Sequence, residues 1–184
     1  GYTLLFQSQS ISVTPNMSRV PYNAVSDFQP IAKLISQAFV IVTSLQVPPK
    51  NLKDLVAYSN TRNGGLNAAV PGAATTLTGG LFKLVSSAVM PQARAGKVNA
   101  LAVTTERRVR MIPNVPTVTE AGMPELKVEG WLASFAPVKT PADIVNRLNA
   151  EINTALRSPD ISERIYQIGG EPAQTGVAEF SKFY

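Results

Sequence analysis

The 184-residue chain contains no cysteine and no histidine. Lack of cysteine excludes a disulfide framework and thiol nucleophiles, and leaves the redox compartment open. Lack of histidine removes the commonest general base, metal ligand and catalytic-triad partner. Charge is sparse as well: 16% of residues are Asp, Glu, Lys or Arg, against roughly a quarter in ordinary globular chains. No two carboxylates have a spacing suited to acid–base work, and Glu120, Glu125 and Glu129 read as solvated groups of a loop-rich region. Together these absences argue against an enzyme. No apolar run is long enough to span a membrane; the longest candidate, Ala38 to Val42, is strand-sized. No leader is visible, and because Gly1 falls inside a strand motif this says nothing about secretion. The formal charge is +5, with its densest group at Arg107, Arg108 and Arg110. No basic stripe interleaved with aromatics accompanies it, so no nucleic-acid partner is expected.

What is present is an ordinary apolar content of 45%, in a chain long enough to bury a core as one good domain or two small ones. Thr3 to Phe6 reads as a short buried strand, followed by a polar segment ending at Pro15 and Asn16. A loop through Asp27 and Pro30 leads into a strand pair, Ile31 to Leu34 and Phe39 to Thr43. Asn51 caps a helix with Leu52, Leu55, Val56 and Tyr58 on one face, ended by Asn63-Gly64-Gly65. Leu66 to Val70 is a strand, and Pro71-Gly72 turns into a helix covering about Thr75 to Val85. Pro91 starts a short helix that stops at Gly96, Leu101 to Thr104 is a buried strand, and Thr117 with Glu120 forms a capping box.

Trp131, Leu132, Phe135 and Ala136 form an apolar strand stopped by Pro137. Thr140 then stands at an N-cap, Pro141 at the first helical position and Asp143 near the positive end of the dipole. Ile144, Val145, Leu148, Ile152 and Leu156 follow at helical spacing. A short helix after Ser158-Pro159 runs to Gly169-Gly170, and a last helix carries Val177, Phe180 and Phe183. Helices alternating with short apolar strands predict an α/β layered architecture.

The pattern W-x-x-x-F-A-P-x-x-T-P-x-x-I-V-x-R-L-N-x-E from Trp131 resembles the periplasmic solute receptors of tripartite tricarboxylate transporters, the Bug or TctC-like family. GYTLLF (Gly1 to Phe6), VPYNAVSDFQPIAKL (Val20 to Leu34), LKDLVAYS (Leu52 to Ser59), AGKVNALAVTTERR (Ala95 to Arg108) and IPNVPTVTEAGMP (Ile112 to Pro124) agree in family order. The resemblance implies a periplasmic-binding-protein-like fold of type II, in which two α/β domains close over a small organic carboxylate. It assigns residues 1–43 to domain 1, 44–130 to domain 2, and 131–184 to a return crossover with helices packing on domain 1. Family strand–helix units expected before Gly1, and a block expected near Leu84 to Ser87, have no counterpart. The implied architecture is therefore an incomplete two-domain one, with weakened binding expected. The implied place is the periplasm, the implied partner a membrane permease, and no cofactor is called for. The rival expectation is a shortened, non-binding paralogue that self-associates as a homo-oligomer or serves as an interaction protein, because trimmed sheets leave edges open.

Two loops are candidate carboxylate sites. Gly72, Ala73, Ala74, Thr75 and Thr76 follow a strand and open a helix, where backbone N–H groups and a positive dipole can hold an anion without charged side chains. The bland alternative is an ordinary helix start. Ser8, Gln9 and Ser10, with Ile11 and Ser12 behind them, follow the first strand at the sheet edge where α/β folds receive ligands; the alternative is a polar surface turn. Trp131 and Phe135 are expected in the core rather than shielding a ligand, and Asp27-Phe28 reads as structural. Arg94 and Lys97 attract anions or complement a helix end.

Overall fold

A computed structural model describes residues 3–61, 83–85 and 89–184. In chain order the elements are β1 (Leu5–Ser8), α1 (Ser10–Met17), β2 (Phe28–Ala38), β3 (Val40–Thr43), α2 (Leu52–Asn60) and β4 (Lys83–Val85). They continue as α3 (Met90–Arg94), β5 (Asn99–Val103), β6 (Glu129–Pro137), α4 (Ala142–Leu156), α5 (Pro159–Gln167), β7 (Gly170–Pro172) and α6 (Val177–Phe183). Unit 1 comprises Gly1–Ser36, Gly130–Tyr166 and Gly170–Tyr184; unit 2 comprises Gln37–Glu129 and Gln167–Gly169.

Unit 1 is built on a sheet of order β1-β6-β2-β7. The apolar run of β6 has both faces buried, because the strand is interior to the sheet. Trp131, Ala133 and Phe135 join Ile11 of α1 and Phe180 of α6 in an aromatic-rich cluster. Ala136 meets Ile31, Ala32 and Val145, while Leu132 packs against Ile35, Leu156 and Ile165. The apolar face of α4 does this packing, and two asparagines fix its height. Asn149 donates to the Ile31 carbonyl at 2.7 Å and to the Thr175 carbonyl at 2.9 Å, and Asn153 donates to Thr175 at 3.0 Å.

Unit 2 carries a sheet of order β4-β3-β5, with β3 antiparallel to both neighbours. Alternate residues of β3 feed two cores. Ile41 packs with Phe39, Leu52, Leu55, Leu101 and Val118, and Val40 and Val42 with Met90, Val103, Val109 and Ile112. Thr104 is fully buried, and its hydroxyl accepts from the Phe39 N–H at 3.0 Å. The expected cap on α2 is in place, since Asn51 Oδ1 accepts from the Asp54 N–H at 2.8 Å. So is the capping box, with Thr117 N–H donating to Glu120 at 2.8 Å and Glu120 N–H to Thr117 at 3.1 Å.

Several expectations are corrected. The strands through Ile31 and Ile41 do not pair; β2 and β3 belong to different sheets. Only Phe39 separates them, too little chain for a reversal. Lys83–Val85 is strand rather than helix, held against Val40, Ile41 and Val42. Asn63 to Gly65, Leu66 to Val70 and the start of that expected helix lie outside the described residues. The first strand is not buried throughout: Phe6 is 55% exposed. Thr140 does not cap α4, because its hydroxyl closes the preceding turn by donating to the Pro137 carbonyl at 2.8 Å, and Pro141 takes the cap position. The polar segment after β1 is helical, with Pro15 inside α1. Proline lacks the N–H that would reach the Ile11 carbonyl four residues back. The Tyr22 hydroxyl donates to that carbonyl instead, at 3.4 Å.

Candidate functional site

Ser8, Gln9 and Ser10 join β1 to α1 and are all half-buried. The hydroxyls of Ser8 and Ser10 lie 2.9 Å apart, and the Ser10 N–H donates to the Ser8 hydroxyl at 3.4 Å. Two hydroxyls sharing one bond leave one O–H without an acceptor among the described residues. Gln9 is doubly tied to the start of β6. Its N–H donates to the Trp131 carbonyl at 3.3 Å, and its side-chain oxygen accepts from the Trp131 N–H at 3.1 Å. A backbone N–H can only donate, so the amide orientation is settled, and the Gln9 NH2 group keeps two donors without a partner among the described residues. The loop thus offers neutral donors on a rigid mount, which suits an anion's oxygen atoms and supplies no titrating group.

The other candidate loop, Gly72, Ala73, Ala74, Thr75 and Thr76, lies outside the described residues. Trp131 and Phe135 are core residues, 7% and 0% exposed. What the sequence did not signal is that the Trp131 backbone orients Gln9; no motif announces a contact 122 residues apart in the chain. Behind the loop the Tyr184 hydroxyl donates to the Ala24 carbonyl at 2.7 Å. Burial pushes that phenol above its ordinary value.

Unit 2 bears an open depression of about 640 Å³, lined by Glu106, Arg107, Arg108, Thr117, Glu120 and Lys127 among others. Its carboxylates are already engaged. Lys127 bonds Glu106 at 2.6 Å, and Arg108 bonds Glu120 at 2.9 Å. The hydrogen bond from Lys127 holds Glu106 below the ordinary carboxylate range. Those from Arg108 and then the Thr117 N–H do the same for Glu120. Each of these acids is thus held ionised by a cation beside it.

The sign of the pH effect follows from the lowered values. A carboxylate held below its unfolded value stabilises the fold above that value, and loses the contribution as pH falls through the folded midpoint. Carboxyl-carbon NMR should place the midpoints of Glu106 and Glu120 below 4.5. Arg108→Gln should move Glu120 back up; an unmoved midpoint would show that the guanidinium is not the cause.

A family model described as the tripartite tricarboxylate transporter family receptor, TctC, matches residues 1–88 and 80–184. The chain belongs to this family. A UPF0065 protein of Bordetella bronchiseptica is 29% identical over 209 residues, covering 95% of this chain and 62% of its own length. The TctC-family chain therefore spans less than two thirds of that relative. Rhodopseudomonas palustris MatC with bound malate superposes with a TM-score of 0.74 at 25% identity, over 98% of this chain and 74% of MatC. An R. palustris protein with adipate gives a TM-score of 0.82 at 23% identity, over 100% of this chain and 73% of the neighbour, a likeness of fold. The mixed α/β architecture is that of periplasmic binding proteins.

Proposed function

We propose that the chain captures a small organic carboxylate in the periplasm and hands it to the membrane permease of a tripartite tricarboxylate transporter. The observation that carries this is the receptor-family match across the chain, joined to a β1–α1 loop whose spare donors are all uncharged. The free hydroxyl of the Ser8–Ser10 pair and the Gln9 NH2 group replace water around a carboxylate. Because their geometry is fixed by Trp131 and by α1, little ordering entropy is lost on binding. Gly72, Ala73, Ala74, Thr75 and Thr76 are proposed as further contacts on the strength of the family pattern. Capture needs no reaction and no cofactor.

Calorimetry against mono- and dicarboxylates of three to six carbons tests the proposal. Ser8→Ala with Ser10→Ala should weaken the tightest acid about 10- to 100-fold, the worth of one or two hydrogen bonds to a charged group, while the melting temperature holds. Unchanged affinity would remove this loop from the site. Failure of every acid to bind would remove the receptor role.

A second proposal, a self-associating paralogue, draws on the position of β1. It ends the sheet order and carries the exposed Phe6, a combination that invites pairing between copies. Light scattering showing an oligomer, with no thermal response to any acid, would favour it.

A further inference from the structure

The formal charge of +5 is not shared between the two units. Unit 2 holds ten lysines and arginines against five acids, whereas unit 1 holds seven against seven. The whole surplus therefore belongs to unit 2. Within it Lys127 and Arg108 are spent on Glu106 and Glu120. Arg94, Lys97 and Arg107 are exposed and make no ion pair among the described residues. These are long side chains at separate places in the sequence, around α3 and after β5. Arg107 lines the open depression described above and Arg94 and Lys97 do not, so what the three share is a field.

We infer that unit 2 supplies the electrostatic attraction for the anionic solute, setting how fast a multiply charged carboxylate associates and leaving how tightly it is held to the neutral donors. This rests on the carboxylate-capture proposal above and adds a division of labour to it. A net positive region raises the local concentration of anions and their on-rate, more for a dianion than for a monoanion. The effect is strongest at low salt, since the screening length is about 30 Å at 10 mM and about 8 Å at physiological ionic strength. Neutral donors in a fixed loop act only after contact, so they govern the off-rate instead.

Two variants with the same loss of charge test the inference. Arg94→Gln, Lys97→Gln and Arg107→Gln are combined in unit 2. Arg19→Gln, Lys139→Gln and Arg147→Gln, likewise exposed, are combined in unit 1. Stopped-flow association of adipate, succinate and butyrate is followed from about 10 to 150 mM salt, a range over which screening changes severalfold. The unit 2 variant should slow adipate and succinate about fivefold at low salt, flatten the salt dependence and leave dissociation unchanged. Butyrate should slow less, and the unit 1 variant should stay near the parent. Equal slowing in both variants, or none in either, would overturn the inference while leaving carboxylate capture standing. If none of these acids, nor any other of the calorimetric panel, binds the parent chain, the capture proposal fails first and this one with it.

Discussion

Phe135→Ala should destabilise the fold by about 3–5 kcal/mol and lower the melting temperature by roughly 10 °C. The side chain is fully buried and stands at the meeting point of four other rings. Its centroid lies 4.9 Å from Tyr184, 5.7 Å from Phe180, 6.3 Å from Trp131 and 6.5 Å from Phe28. Those rings come from β6, β2, α6 and the chain's end, so no single element can move in to fill the hole. The loss is therefore the transfer term plus a cavity that cannot collapse. Edge-on and tilted ring contacts add to what is lost. Phe183→Ala, in the same neighbourhood but at a side chain 51% exposed, should cost far less. Thermal unfolding of both variants decides the matter: similar losses would mean that the cluster is not packed as described.

Gly170→Ala should cost about 1–3 kcal/mol, the usual range for overpacking. A methyl group built there would lie 2.5 Å from Ile35 Cγ2 and 3.1 Å from Ile165 Cγ2. Both are branches at the β-carbon, held by the backbone, and neither can swing aside as the tip of a long side chain would. Gly170 lies in β7, which neighbours β2 in the sheet, so the clash would push the two strands apart or force Ile35 off its rotamer. Ile35→Leu removes the offending branch. The double variant should then be more stable than the two single losses added together. Strict additivity would show that the crowding lies elsewhere.

The path from residues to elements was legible where one local rule sufficed. Asn51 caps α2 because a short acceptor satisfies an otherwise unpaired N–H, and Thr117 with Glu120 close a reciprocal pair over three residues. The spacing of Val145, Leu148, Ile152 and Leu156 marks the buried face of α4 without reference to anything else. Phe6 and Thr140 were less legible. Alternation cannot say which strand ends a sheet, and a hydroxyl able to cap a helix can equally close the turn before it. The Ser8 to Ser10 loop was singled out from polarity and position, but the hydrogen bonds that hold it to Trp131 were not legible there.

The sequence by itself determined the family, the layered class and the caps, because each depends on neighbours within a few residues or on a linear pattern. Only the tertiary structure decided that β2 and β3 serve different sheets, that the Trp131 N–H holds the Gln9 side-chain oxygen, and that the positive surplus falls wholly in unit 2. Each of these depends on residues far apart in the chain being brought together, and linear order places no restriction on which ones meet.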